Sequence, residues 1–207
     1  MPDSSARPLG DLDHLSDVGP LAAVLGAVSA PLLRGWRVPP VAWLIAGLVA
    51  LAIGALVARP VVTVPATVAF VLLSSAAVRP PLEGRLAWLV PALLRAAEYA
   101  FAVRLAALLG DEVMPAAYAL LAVVAYHHYD VVYRLRHAGS SAAPWLGIAA
   151  LGFEGRMVVV LGLWLAGAGD AAFGCWVLAG WLAVVFGVES VTGWTRWLRT
   201  ARPDVLA

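Results

Sequence analysis

The chain has 207 residues, 62% of them hydrophobic and only 13% charged, with a mean hydropathy of +0.87. A soluble domain carries far more charge, so the composition predicts an integral membrane protein. A net charge of +1 supplies no field to gather nucleic acid or acidic partners, and a single cysteine, Cys175, excludes an intramolecular disulfide framework.

Residues 1–40 read as a cytoplasmic N-terminal segment. Asp3, Asp11, Asp13 and Asp17 precede the first apolar run, where a secretory signal would need a basic start and a small-residue cleavage site. That run, Leu21 to Leu33, is too short to span and is followed by Arg34, Trp36 and Arg37, which predicts a helix lying at the membrane surface.

An all-α, polytopic bundle of about six spans follows over 41–195, each span near the roughly 20 residues that cross a bilayer. The expected spans are 41–58, 61–78, 86–109, 114–134, 144–167 and 171–193, with a basic cytoplasmic tail at 196–207. Arg59-Pro60, Arg79-Pro80-Pro81, Asp111-Glu112 before Pro115, Ser140 to Pro144 and Gly167 to Asp170 punctuate them. All 14 basic residues are arginine. With the N-terminus cytoplasmic, that side holds Arg7, Arg34, Arg37, Arg79, Arg85, Arg134, Arg136, Arg196, Arg199 and Arg202, and the other holds Arg59 alone. This bias predicts a multi-pass plasma-membrane protein with both termini cytoplasmic. Trp36, Trp43, Trp88, Trp145, Trp194 and Trp197 fall near the proposed interfaces, where indoles are favoured.

Ionisable groups inside the spans are the feature that points to a site. Such groups are costly in hydrocarbon and pair inside the bundle or line a water-filled cavity. The candidate polar cluster is Arg95, Glu98, Tyr99, His127, Asp130, Tyr133, Arg134, Glu154, Arg156 and Glu189. Arg95, Glu98 and Tyr99 share one helical face, and His127, Asp130 and Arg134 share another, while His128 points about 100° away. Glu154 and Arg156 are two residues apart and face nearly opposite ways, so at least one needs a partner on a neighbouring helix. Counted along the helices, the group falls in the cytoplasmic half; Arg104, nearer the outer end of the third span, snorkels outward.

Three readings of this group stay open: ion pairs that pin helices together, a cavity for an anionic or polyol headgroup, and a metal held by His127 and Asp130 with Glu154 or Glu189. No HExxH or paired HxxxH spacing supports the last, so no metal or cofactor is expected. His128 is expected to be a satisfied packing histidine. Ala46-xxx-Ala50-xxx-Gly54 and Ala179-xxx-Ala183-xxx-Gly187 are small-residue stripes that allow close helix approach. Pro91 and the Gly152–Gly155 region are the only hints of a broken helix, and no P-loop, GxGxxG, nucleophile elbow or basic nucleic-acid patch is present.

The runs Trp88-Leu-Val-Pro-Ala-Leu-Leu-Arg-Ala-Ala-Glu-Tyr99, Tyr126-His-His-Tyr-Asp-Val-Val-Tyr-Arg-Leu-Arg-His-Ala-Gly139 and Gly152-Phe-Glu-Gly-Arg156 resemble an uncharacterised actinobacterial membrane domain. In longer proteins that domain is joined to a nucleotidyltransferase-like part and a CDP-alcohol phosphotransferase. The likeness covers about residues 85–193, and it implies a setting, envelope lipid synthesis on the cytoplasmic face, rather than a catalytic role. The D-x-x-D-G-x-x-A-R and G-x-x-x-D-x-x-x-D segments with which CDP-alcohol phosphotransferases hold divalent metal are missing, so that reaction is not assigned. Two functional readings follow. One is a non-catalytic subunit or scaffold of envelope phospholipid or glycolipid synthesis, with membrane lipid and a CDP-alcohol phosphotransferase as partners. The other is an enzyme or lipid-handling protein whose cytoplasm-facing cavity binds a phosphorylated lipid or polyol through Arg95, Arg134 and Arg156.

Overall fold

The computed structural model describes residues 15, 17–33, 39–78 and 86–201, and these contain helices and connections but no strand. Asp3, Asp11, Asp13, Trp36, Pro80 and Pro81 lie outside the described residues. So do six of the ten arginines on the proposed cytoplasmic side, Arg7, Arg34, Arg37, Arg79, Arg85 and Arg202.

Helix α1 spans Pro20–Leu33 and continues through Pro31. It packs against α3 and α7. Helices α2 (Pro40–Val57) and α3 (Pro60–Ala77) each begin with proline, whose missing N–H is no loss at a first helical position. The turn between them is tight, with Ala58 in the left-handed region at φ 55°. The face of α2 that meets the bundle is Leu44, Gly47, Leu51 and Gly54. Of the Ala46/Ala50/Gly54 stripe, only Gly54 makes the close approach: a Cβ there would lie 2.7 Å from the Ala66 Cβ. Thr63 Oγ1 donates to the Gly54 carbonyl at 2.9 Å. Thr67, Ser74 and Ser75 turn their hydroxyls back onto carbonyls of their own helix, which keeps polar atoms of α3 satisfied without water.

Helices α4 (Leu89–Leu109) and α5 (Met114–Ala138) follow, and α5 packs along α8 (Ala168–Ala201). The fifth expected span is broken. A one-turn helix α6 (Leu146–Ala149) is separated from α7 (Gly152–Ala166) by Ala150 and Leu151, with Leu151 at φ 66° and Gly152 at φ 59°. Helix α8 is 34 residues long and runs through Arg196 and Arg199, so its last two turns extend beyond the expected span end at 193. Its buried face is Ala171, Cys175, Leu178, Ala179, Leu182, Phe186 and Glu189, so the Ala183 and Gly187 part of the second small-residue stripe does not make the contact.

Among the described helices, four are long and apolar enough to cross a membrane: α2, α3, the α6–α7 stretch and α8. Helices α4 and α5 have the length but fall short in apolarity. Arg95, Glu98 and Arg104 interrupt α4, and the polar run from Tyr126 to Arg136 occupies the second half of α5.

The side chains are distributed in the reverse of a soluble protein. Ile45, Val49, Ile53 and Leu56 of α2 and Phe173, Trp176, Val184 and Val191 of α8 face outward, while Glu98, His127, His128, Asp130, Arg134, Glu154, Arg156 and Glu189 are buried. This pattern is consistent with a membrane protein. The apolar core is shared by helices α2 to α8, with Phe70 of α3 meeting Phe153 of α7 edge to face at 6.5 Å.

Candidate functional site

The polar residues do not form one cluster. They form two ion-pair nodes and a helix cap, grouped at the end of the bundle that carries the α5–α6 connection.

The first node is built around Arg156, on the first turns of α7 and only 1% exposed. Its Nε donates to Glu98 Oε1 at 2.5 Å and its Nη2 to Glu98 Oε2 at 3.0 Å, a bidentate grip from α7 onto α4. Nη2 also donates to Asp17 Oδ2 at 2.6 Å, and Nη1 to the Ala150 carbonyl at 3.2 Å. Glu98 thus pairs with Arg156 and not with Arg95, its neighbour on the same face.

Asp17 is the residue that sequence reasoning missed. Set aside with the other early aspartates, it instead sits between α7 and α5, where its Oδ2 also lies 3.4 Å from His128 Nε2. A carboxylate only accepts, so His128 Nε2 carries a proton. With neutral His128, its Nδ1 then accepts from the Tyr99 hydroxyl at 2.7 Å. Burial alone would raise the Asp17 carboxyl, but the Arg156 guanidinium and the His128 imidazole outweigh it and hold it well below the usual carboxylate range. One arithmetical hint was available. Arg95 and Arg156 face Glu98 alone once Glu154 is turned away, so a further carboxylate has to come from elsewhere in the chain.

The break in the fifth span is where this N-terminal strand of chain docks. The Phe153 N–H donates to the Asp17 carbonyl at 3.1 Å. A Cβ on Gly147 would lie 2.8 Å from the Val18 carbonyl oxygen, and one on Gly152 would run into the Gly19 backbone nitrogen. Only glycines let the two backbones come this close. Glu154, fully buried, then accepts from the Ala22 N–H at 2.9 Å and so satisfies a free donor at the start of α1. Glu154 and Arg156 therefore both find partners on other elements, in opposite directions.

The second node joins α5 to α8. Arg134, also 1% exposed, donates to Glu189 through Nη1 at 2.9 Å and Nη2 at 2.5 Å. Its Nε lies 2.9 Å from Asp130 Oδ2, an ion-pair contact that is off line for a hydrogen bond. Asp130 Oδ1 accepts from Trp194 Nε1 at 3.1 Å, and Glu189 Oε1 from the Ala143 N–H at 3.2 Å, which ties the α5–α6 connection to the node. Gly193 leaves room for the guanidinium, since a Cβ there would overlap Arg134 Nη1. Tyr133 is exposed and stacks on His137 at 4.1 Å, outside the ion pairs.

Between the nodes lies a cleft of about 180 Å³, whose polar lining includes Asp17, Arg95, His127 and His128. His127, 3% exposed, stacks flat on Phe186 at 3.9 Å and makes no hydrogen bond among the described residues. Arg95 donates through Nη2 to the Leu15 carbonyl at 3.1 Å, and its Nε has no partner. A second cleft of about 260 Å³ opens beside Arg134, with Ser140, Trp145, Arg196 and Trp197 in its wall. Arg104 is exposed and donates to the Ala55 carbonyl at 3.1 Å.

The carboxylates considered for a metal each have a partner within the protein, Glu154 through Oε1 alone. Asp130 and Glu189 serve Arg134 and Glu154 caps α1, and no group of three His, Cys, Asp or Glu side chains converges among the described residues.

Residues 4–205 match a family of unknown function, DUF5941. The chain belongs to that family. The match extends well beyond residues 85–193, to which the resemblance was limited, and takes in the segment around Asp17 and helices α1 to α3 as well as the two nodes. No curated protein and no solved structure matches the chain.

Proposed function

We propose that this DUF5941 chain is a six-span plasma-membrane protein with both termini cytoplasmic, acting as a non-catalytic subunit or scaffold in envelope phospholipid or glycolipid synthesis. One observation carries the non-catalytic reading: the fully buried guanidiniums of Arg134 and Arg156 are each closed by two carboxylates, so neither offers a fork to a phosphate. Groups saturated in this way act as clamps between elements. The envelope setting, and a CDP-alcohol phosphotransferase as partner, draw on the resemblance of the Trp88–Tyr99, Tyr126–Gly139 and Gly152–Arg156 runs. Co-purification from host membranes tests the proposal. The tagged chain should retain a CDP-alcohol phosphotransferase, and Glu98→Gln should lower the yield of folded complex without changing the partner's activity per complex. A chain that purifies alone and itself turns over a CDP-alcohol would overturn it.

A second reading, a lipid-handling protein with a cytoplasm-facing cavity for a phosphorylated lipid or polyol, draws on a different observation. The 180 Å³ cleft has in its wall Arg95, whose Nε is unpartnered, and His127, which makes no hydrogen bond among the described residues.

A further inference from the structure

We infer that the cleft between the two nodes is a binding site for a neutral polyhydroxyl group, held between Asp17, Arg95 and His127. The inference rests on the lipid-handling reading and narrows it, because it selects polyol over phosphate.

The argument starts from which polar atoms are left over. A buried polar group without a partner costs about 1–3 kcal/mol, so native structures keep few of them without a reason. One such atom, Arg95 Nε, belongs to a residue of the cleft wall, beside a buried histidine. His127 is 97% buried by its 3% exposure and has no hydrogen bond among the described residues, although its neighbour His128 is paired on both ring nitrogens. Arg95 uses Nη2 on Leu15, and its Nε is buried without a partner. Asp17 spends both of its side-chain contacts on Oδ2, which leaves Oδ1 without a partner among the described residues.

The unused set is therefore a cationic donor, a carboxylate acceptor and an imidazole that offers one of each when neutral. Each hydroxyl of a polyol both donates and accepts. Adjacent hydroxyls can thus donate a hydrogen bond to Asp17 Oδ1, accept one from the Arg95 guanidinium and use either role at His127. A phosphate only accepts when ionised, and would meet the Asp17 carboxylate with no compensating second arginine, since Arg156 and Arg134 are committed elsewhere. The cleft has room for roughly six water molecules at about 30 Å³ each, the scale of a small polyol headgroup rather than of a nucleotide. The Ala142–Pro144 stretch and Val131 supply an apolar wall against which carbon faces of such a group can lie.

The test uses the full chain in phosphatidylcholine nanodiscs, titrated with myo-inositol, glycerol and inorganic phosphate by calorimetry. Saturable binding of at least one polyol is expected, weakened about tenfold or more by Arg95→Met, the scale of one lost charge-assisted hydrogen bond. His127→Phe should weaken it similarly while keeping the stack on Phe186. Both variants lie outside the ion pairs, and unchanged melting temperatures verify that they fold; Arg95→Met alone decides the matter if His127→Phe does not. Competition by phosphatidylinositol or phosphatidylglycerol built into the nanodisc would identify a lipid-borne headgroup, and its absence a free polyol. Binding of phosphate but no polyol, lost in Arg95→Met, would overturn the inference while leaving the lipid-handling reading in place. Polyol binding untouched by both substitutions would overturn the inference alone, and no binding of either ligand would overturn both.

Discussion

Arg156 and Asp17 are 139 positions apart in sequence, yet Nη2 of one donates to Oδ2 of the other at 2.6 Å. This contact makes the segment before α1 a structural part of the bundle, threaded into the break between α6 and α7.

The pairing predicts an acid dependence. The folded-state pKa of Asp17 is lowered, so its contribution to stability is present above the unfolded carboxylate value and is lost as pH falls from about 4 toward the lower folded value. Melting temperatures measured across this window should drop more steeply for the native chain than for Asp17→Asn. Parallel curves would show that the carboxylate contributes nothing.

The close backbone approach predicts that Gly152→Ala is costly. Gly152 has φ 59° and its Cβ would strike the Gly19 backbone, so the substitution strains both conformation and packing, by about 1–3 kcal/mol. Limited proteolysis should then cut near residues 17–19, whose backbone packs against Gly147, Gly152 and Phe153 in the native chain; cleavage no faster than in the native chain would place the segment elsewhere.

Arg134→Lys keeps the charge and loses the fork. A lysine ammonium cannot bridge both Glu189 oxygens and also sit beside Asp130, so at least one buried carboxylate oxygen loses its donor. Unfolding in detergent should show a loss of about 1–3 kcal/mol. Full stability would mean that water replaces the arginine.

The proposed orientation predicts labelling from one side only. In a Cys175→Ala background, Asp111→Cys and Asp170→Cys should react with an impermeant thiol reagent added outside intact cells, consistent with their place in the α4–α5 turn and at the start of α8. Reaction only after the cells are opened would reverse the orientation.

Much of the helix layout was legible because apolar runs and proline punctuation are local signals. Pro60 and Pro115 mark helix starts in sequence as they do in space, whereas the fourth span, expected to end at 134, continues to Ala138. Burial of Glu98, His127, Asp130, Glu154 and Glu189 was legible too, since charge in an apolar run has to turn inward. The partners were not. Helical spacing relates Arg95 to Glu98 and His127 to Asp130, but it carries no information about α7 meeting α4 or α8 meeting α5. Asp17 was out of reach for the same reason, because its role depends on glycines at 147 and 152 that make space only after folding. The Gly152–Gly155 signal was real, and what it marks is a docking point for the chain's own N-terminal segment.

The central claim, that buried charge clamps this bundle together, is tested most directly by a double-mutant cycle between Glu98 and Arg156. Glu98→Gln, Arg156→Gln and the double variant would be unfolded in detergent alongside the native chain. A coupling of about 2–3 kcal/mol between the two positions is the expected result, and strict additivity within about 0.5 kcal/mol would contradict the clamp.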